Sequence, residues 1–203
     1  MLSQAKSWLS RKKKVCHGVR WRHAALIASL AIAGCTSTST QVTTGFYDVQ
    51  GNTAKRIDRE IRRKGPANGH ALAQAAIRFQ PVAIKPEVGS RGCRFTDVKF
   101  KVIANITLPR WRNRSGASRQ LKRAFDNLSQ YAKWHENQHV RIAELAARDI
   151  EKSFKAMKPS KTCKRLERRS VALFKRKLAN HDKAQKAFDA FEQKRLAKIF
   201  GTS

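Results

Sequence analysis

Hydrophobic and polar positions alternate most regularly in residues 98–107. The apolar residues of one face are Val98, Phe100, Val102, Ala104 and Ile106. Alternation with a period of two predicts a β-strand that is buried on one side. Weaker apolar patterns at residues 45–51 and 76–84 predict two more strands, and Pro81 places the second of these at a sheet edge.

Apolar residues recur at intervals of three and four in three other segments, which predicts helices. The first helix covers residues 54–64, after a cap at Asn52 or Thr53. The second covers about residues 117–157, and the third covers about residues 163–200. The order of elements predicts an α+β fold, in which a small antiparallel sheet packs on two long C-terminal helices.

The second helix contains an H-E-x-x-H pattern. It reads Trp134-His135-Glu136-Asn137-Gln138-His139. Residues four apart on a helix differ by about 40° around the axis and by about 6 Å along it, so both imidazoles can reach one ion. The pattern predicts a zinc site with His135 and His139 as ligands and Glu136 as the general base. A buried, hydrogen-bonded pair of histidines is the alternative interpretation.

The chain is strongly basic, since 44 Lys and Arg face 14 Asp and Glu and give a formal charge of +30. Such an excess favours association with polyanions, including anionic surfaces of a cell envelope. The basic residues are spread along the chain, and neither an aromatic-rich single-strand motif nor a zinc-finger spacing accompanies them. Nucleic acid is therefore not an expected partner.

The first 34 residues have the pattern of an export signal. Residues 1–23 carry seven Lys or Arg and no acid, and residues 24–33 are an apolar run that is too short to span a bilayer. Residues 32–35, Ile-Ala-Gly-Cys, resemble the lipobox of bacterial lipoproteins. The resemblance implies cleavage before Cys35 and a lipid on its sulfur. An ordinary signal peptide with an incidental cysteine is the alternative.

This interpretation divides the chain into a signal peptide (1–34), a lipidated cysteine with a polar tether (35–44) and one domain (45–200). Loss of seven positive charges lowers the formal charge from +30 to +23. The lipid predicts attachment to a membrane of the bacterial cell envelope. Thr36 stands where an Asp would favour the inner membrane, so we expect the outer membrane, facing the periplasm.

Two cysteines remain after Cys16 is removed with the signal and Cys35 is lipidated. These are Cys93 and Cys163. An even pair in an oxidising compartment predicts a disulfide that closes a loop of about 70 residues. Two buried free thiols are the alternative.

The motifs in this order resemble those of a family of bacterial predicted secreted zinc-dependent proteases. The shared segments are Tyr47-Asp48-Val49-Gln50-Gly51-Asn52-Thr53, Gly65-Pro66, Cys93, Thr107-Leu108-Pro109-Arg110-Trp111, the H-E-x-x-H helix, Cys163 and Ala187-Phe188-Asp189-Ala190. The resemblance covers most of residues 45–195. It implies a zincin-like fold, with His135 and His139 as zinc ligands, Glu136 as the catalytic residue and a Cys93–Cys163 cystine.

One position departs from the family pattern. The family carries a further histidine shortly after the Asp-Ala step, and Lys194 stands there in this chain. A protonated lysine repels zinc. Glu192 is the first choice for the third ligand, because two imidazoles with one carboxylate match thermolysin-type zinc sites. Asp189 and His181 are nearby donors, and Glu192 could instead be a surface carboxylate on a basic helix.

The expected function is that of a zinc-dependent metallopeptidase held at the cell envelope by the lipid on Cys35. Its substrate would be a peptide or protein, bound in extended form along the edge of strand 98–107. The alternative is a lipoprotein that keeps the fold without catalysis and acts as a binding or structural module at an anionic envelope surface. Lys194 favours this alternative, because it leaves the third ligand undefined.

Overall fold

The computed structural model of the chain describes residues 39–201, which form an α+β domain. Its elements are β1 (Ser39–Val49), α1 (Ala54–Lys64), a 3-10 turn (Ala67–Gly69), β2 (Gln74–Gly89), β3 (Gly92–Trp111), α2 (Arg119–Lys155) and α3 (Cys163–Phe200). The predicted α+β class with two long C-terminal helices is confirmed. The predicted signal peptide (1–34) and lipidation site, Cys35, lie outside the described residues.

The three strands form a mixed sheet in the order β1-β3-β2, with the longest strand in the centre. Strand β2 runs antiparallel to β3, with Ile77 opposite Ala104. Strand β1 runs parallel to β3, with Val42 opposite the same Ala104. The predicted wholly antiparallel sheet is therefore wrong for β1. Helix α1 follows β1 and precedes the β2–β3 hairpin in the chain. Strands β1 and β3 are therefore joined by a long connection and not by a tight turn, which allows them to run parallel.

The domain begins earlier in the chain than predicted. Residues 39–44, assigned to a polar tether, belong to β1 and pair with β3 from Ser39 opposite Lys101 onward. The hydroxyl of Thr40 also donates a hydrogen bond of 2.8 Å to Glu144 on α2. Threonine and valine suit a pleated strand, and the available edge of β3 decides the conformation of this polar segment. Strand β1 therefore begins six residues before residue 45, the predicted start of the domain.

Helix α2 covers the inner face of β3 and forms the core with it. The central cluster combines Val98, Phe100 and Val102 of β3 with Ala143, Ala147 and Ile150 of α2, all 3% exposed or less. The buried stripe of α2 passes through Glu136, while Leu128 on the same helix is 40% exposed. On α3, Phe191 is 64% exposed.

The start of α3 is joined to the start of β3 by a disulfide between Cys93 and Cys163, which confirms the predicted pair. Backbone hydrogen bonds of 2.8 and 2.9 Å between Cys93 and Ser160 lie beside it. Gly92 permits this approach, since its φ is +102° and a Cβ atom there would lie 2.5 Å from the Ser160 oxygen. The lysine, proline and serine at residues 158–160 separate the two long helices, as expected.

The segment that enters β2 is held close to the candidate site by contacts with β1 and α1. The hydroxyl of Tyr47 donates a hydrogen bond of 2.8 Å to the backbone oxygen of Leu72. Gly65 ends α1, and a Cβ atom at this position would lie 2.7 Å from the backbone oxygen of Ala71. The end of α1 can therefore approach the segment before β2 only because residue 65 has no side chain. No helix within residues 39–201 is both long and apolar enough to cross a membrane.

Candidate functional site

The two histidines of the H-E-x-x-H pattern meet a carboxylate of α3. His135 and His139 project from α2, and their Nε2 atoms lie 3.1 Å apart. The Oδ1 atom of Asp189 lies 3.2 Å from Nε2 of His135 and 3.0 Å from Nε2 of His139. These three residues form a group of donors that could hold a metal ion. We refer to them below as the His-His-Asp cluster.

The separations within the cluster fit a small tetrahedral ion. Zinc binds imidazole nitrogen and carboxylate oxygen at about 2.0–2.2 Å, so two ligands in tetrahedral geometry lie about 3.3–3.5 Å apart. The observed separations of 3.0–3.2 Å are shorter by only a few tenths of an ångström. The donor set of two neutral nitrogens and one carboxylate also suits zinc. The residues present therefore fit a zinc ion.

Glu136 lies beside the cluster on the buried stripe of α2 and is 6% exposed. Burial raises the pKa of its carboxyl group, while the nearby His139 and a hydrogen bond from the backbone of Ala75 oppose that rise. Burial also lowers the pKa of the His135 imidazole, and the neighbouring His139 lowers it further. A neutral imidazole is the form that binds a metal.

Asp189, and not Glu192, is the carboxylate that the structure brings to the imidazoles. Our first choice of Glu192 as third ligand is therefore not supported by the geometry. Lys194 is exposed, and its position five residues after Asp189 corresponds to a rotation of about 140° around α3, away from the cluster. The lysine consequently does not occupy the place of a lost ligand.

Glu192 instead belongs to a separate group of polar side chains next to the cluster. Its carboxylate accepts hydrogen bonds of 2.8 and 2.7 Å from Arg195 and one of 2.9 Å from Tyr131. The Arg195 hydrogen bond holds the pKa of Glu192 below its ordinary value. At 3% exposure this side chain is not the surface carboxylate that was the alternative interpretation.

Aromatic packing and one amide hold the two imidazoles in place. The ring of Phe188 lies 4.9 Å from that of His135 and 5.2 Å from that of His139, measured between centroids. The Nδ1 atom of His139 contacts Oε1 of Gln185, whereas the buried Nδ1 of His135 has no hydrogen-bond partner within residues 39–201. Sequence reasoning missed Gln185, although its position four residues before Asp189 places both on one face of α3.

An open cleft passes the cluster between the start of β2 and helix α3. The cleft has two parts. The part beside His181 and Gln185 has a volume of about 460 Å³, and the part beside Tyr131 and Glu192 has a volume of about 390 Å³. Alternate residues at the entry to β2 line it, namely Ala71, Ala73 and Ala75. The free sheet edge next to the cluster is thus that of β2. The predicted edge, strand 98–107, is wrong because β3 is paired on both sides.

A larger cavity, of about 860 Å³, lies under the other half of β2 and is lined mostly by apolar side chains such as Phe95 and Phe174. It contains none of the cluster residues. The ring of Phe79 lines this cavity and also contacts His181 edge-on, with centroids 5.0 Å apart. The candidate chemistry therefore lies in the smaller, more polar cleft.

A family described as bacterial protein of unknown function (DUF922) matches residues 44–195, which include the H-E-x-x-H helix, Asp189 and both disulfide cysteines. The chain belongs to the DUF922 family. No curated protein and no solved structure matches it significantly. The His-His-Asp cluster therefore lies within the DUF922 domain, and the match to the family assigns it no reaction.

Proposed function

We propose that this DUF922 protein is a zinc-dependent metallopeptidase. The observation that carries the proposal is the convergence of His135, His139 and Asp189 beside the buried carboxylate of Glu136. Two imidazoles and one carboxylate are the protein ligands of thermolysin-type catalytic zinc, which keeps a further position open. The side chain of Asp189 is 53% exposed, so the cluster is accessible from the cleft.

The residues of the cluster and Glu136 have separate roles in peptide hydrolysis. Zinc held by the three ligands would supply a Lewis acid that polarises the peptide carbonyl. Glu136 would accept a proton from the attacking water and donate it to the leaving amine. The zincin-like arrangement implied by the sequence motifs agrees with these roles, and it remains part of the proposal.

The substrate we propose is a peptide or a protein segment in extended conformation. The entry to β2 borders the cleft, and β2 is an edge strand whose outer side pairs with no other described strand. An extended peptide could add to this edge by backbone hydrogen bonds and pass the His-His-Asp cluster. The spaces on the two sides of the cluster would take side chains from either side of the cleaved bond.

We also propose that the protein is attached to the envelope by a lipid on Cys35, at the outer membrane and facing the periplasm. Only three residues separate Cys35 from the first residue of β1, Ser39. Four extended residues span about 13–14 Å. Such an anchor would hold the basic domain close to the membrane, where its charge favours contact with an anionic surface.

The second candidate is a lipoprotein that keeps the fold without catalysis, with or without bound metal, and acts as a binding or structural module at an anionic envelope surface. Its main support was the absence of a defined third ligand, since Lys194 stands where the resemblance implies histidine. Asp189 lies on α3, the helix that also carries Lys194, and supplies the missing donor, which weakens that argument. The strongly basic composition, with a formal charge of +23 after loss of residues 1–34, is what still favours a binding role at an anionic surface.

Metal content and hydrolysis, measured on the same variants, test the proposal. We expect about one zinc per wild-type chain by mass spectrometry, none in a His135→Ala/His139→Ala variant, and cleavage of a quenched fluorescent peptide library. Glu136→Gln should keep zinc and abolish cleavage. Cleavage by Glu136→Gln at the wild-type rate would refute the mechanism, and zinc binding by a wild type that cleaves nothing would support the second candidate.

A further inference from the structure

Gln185 connects the candidate ligand His139 with a second partly buried histidine, His181. Its Oε1 atom lies 2.5 Å from Nδ1 of His139. Its Nε2 atom lies 3.1 Å from the backbone oxygen of His139 and 2.8 Å from Nε2 of His181. Both ends of the amide are thus engaged, and both contact the same ligand residue.

The contacts determine which way the amide points. A backbone carbonyl can only accept a hydrogen bond, so the atom of Gln185 that faces the His139 oxygen must be the NH₂ group. The carbonyl oxygen of the amide then faces Nδ1 of His139. An amide oxygen can only accept, so Nδ1 must carry a hydrogen, and in the neutral ring that binds a metal Nε2 of His139 then keeps its lone pair. This Nε2 is the atom that faces Asp189, at 3.0 Å.

His181 holds the amide in this orientation from the other side. Its Nε2 atom accepts from the NH₂ group of Gln185, so the ring hydrogen of neutral His181 is on Nδ1, 3.3 Å from an oxygen of Asp182. The edge-on contact with Phe79 fixes the plane of the ring. A reversed amide would place an oxygen against the His139 carbonyl oxygen, where no hydrogen is available.

We propose that Gln185 is a positioning residue that fixes His139 in the Nδ1–H tautomer and directs its Nε2 lone pair into the metal site. His181 and Asp182 support it by holding the amide in one orientation. The inference rests on the proposed function, because it assumes that the His-His-Asp cluster binds zinc. An amide also differs from the carboxylate that often orients such imidazoles, since it adds no negative charge beside Asp189.

Zinc affinity measured by competition with a chromogenic chelator tests this role. Gln185→Met keeps the length of the side chain and removes the acceptor, and we expect its affinity to fall by about 10–100-fold. Gln185→Glu keeps an acceptor for Nδ1–H but sets an oxygen against the His139 carbonyl oxygen, so it should recover only part of the loss. Gln130→Met, at an exposed position of α2, is the matched control and should bind like wild type. Equal affinities of Gln185→Met and wild type would overturn the proposal.

The tautomer of His139 can be read without any metal, from the nitrogen chemical shifts of its ring in metal-free protein. We expect a hydrogen on Nδ1 of His139 in wild type and a loss of this hydrogen from part of the molecules in Gln185→Met. An Nδ1 without hydrogen in wild type would overturn the role of Gln185 whether or not zinc binds. A wild type that binds no zinc would instead refute the proposed function, and the tautomer measurement would still decide the orienting contact.

Discussion

Asp189 Oδ1 lies 3.0 Å from Nε2 of His139, and the two atoms belong to different long helices. The contact joins a motif that is visible in the sequence to a carboxylate that no local pattern connects with it. Because α2 supplies two donors and α3 supplies the third, the candidate site exists only when both helices are packed in their observed positions.

Replacement of the carboxylate on α3 should separate the two candidates for third ligand. Asp189→Asn removes the negative donor, so we expect zinc affinity to fall by more than about 100-fold, beyond the loss usual for a residue outside the ligand set. Glu192→Gln should leave the affinity within about threefold of wild type. Chelator competition on both variants measures this. A larger loss in Glu192→Gln than in Asp189→Asn would restore Glu192 as the ligand.

Glu192 should contribute to stability at neutral pH and lose this contribution in acid. Its hydrogen bonds with Arg195 and Tyr131 favour the charged form, so its folded pKa lies below the unfolded value. The unfolded state therefore binds the proton more readily, and stability falls as pH drops through this range. We expect Glu192→Gln to lower the free energy of unfolding by about 1–2 kcal/mol at pH 7.

Urea unfolding of wild type and Glu192→Gln between about pH 7 and pH 3 measures this effect. The difference between their free energies of unfolding should shrink as the pH falls, because the variant has no carboxylate to protonate at this position. A difference that stays constant over the whole range would contradict the role given to the charge of Glu192.

Phe188 should matter for metal binding although it donates no ligand atom. Its ring contacts both imidazoles, so Phe188→Ala frees them to rotate, and we expect zinc affinity to fall by about tenfold. Phe191→Ala is the matched control, because Phe191 is 64% exposed on the same helix. Calorimetric zinc titration compares the two variants. Equal losses would mean that the effect comes from α3 in general and not from the contact with the imidazoles.

The disulfide should account for a large part of the stability. Its cysteines are 70 residues apart, and the chain-entropy model assigns a loop of this length about 4 kcal/mol. A Cys93→Ser/Cys163→Ser variant should therefore lose about 4 kcal/mol of unfolding free energy in urea. Wild type measured with a reducing agent provides the comparison. A loss below about 1 kcal/mol in both would show that the unfolded chain is not restricted by this link.

The sequence predicted most elements because their signals are local. Thr53 and Gly65 bound α1 at the expected residues, and the break at residues 158–160 separates α2 from α3. The pair His135 and His139 was recognisable because residues four apart on one helix face the same way. Only the backbone geometry of a single helix was needed in each case.

The remaining features depend on contacts between distant segments. The Ser- and Thr-rich residues 39–44 have the composition of a tether, and only the parallel edge of β3 makes them a strand. Similarly, Asp189 and Glu192 are both carboxylates on α3 that meet α2, and they differ in what they contact there: Asp189 the two imidazoles, Glu192 the hydroxyl of Tyr131. Which carboxylate meets the imidazoles depends on the rotation of α3 about its axis relative to α2. This rotation is set by packing over the whole length of both helices, and no short pattern in the sequence contains it.

The attachment of α3 to β3 gives the helix a pivot at one end and a candidate metal ligand near the other. Asp189 lies 26 residues beyond Cys163, which corresponds to about 39 Å along the helix axis. At this distance a tilt of about 3° about the disulfide displaces the carboxylate by about 2 Å, which is enough to take it away from the imidazoles. Residues that never touch the cluster, such as Leu173 and Phe174 where α3 packs on the core, can therefore control metal affinity through the angle of the helix.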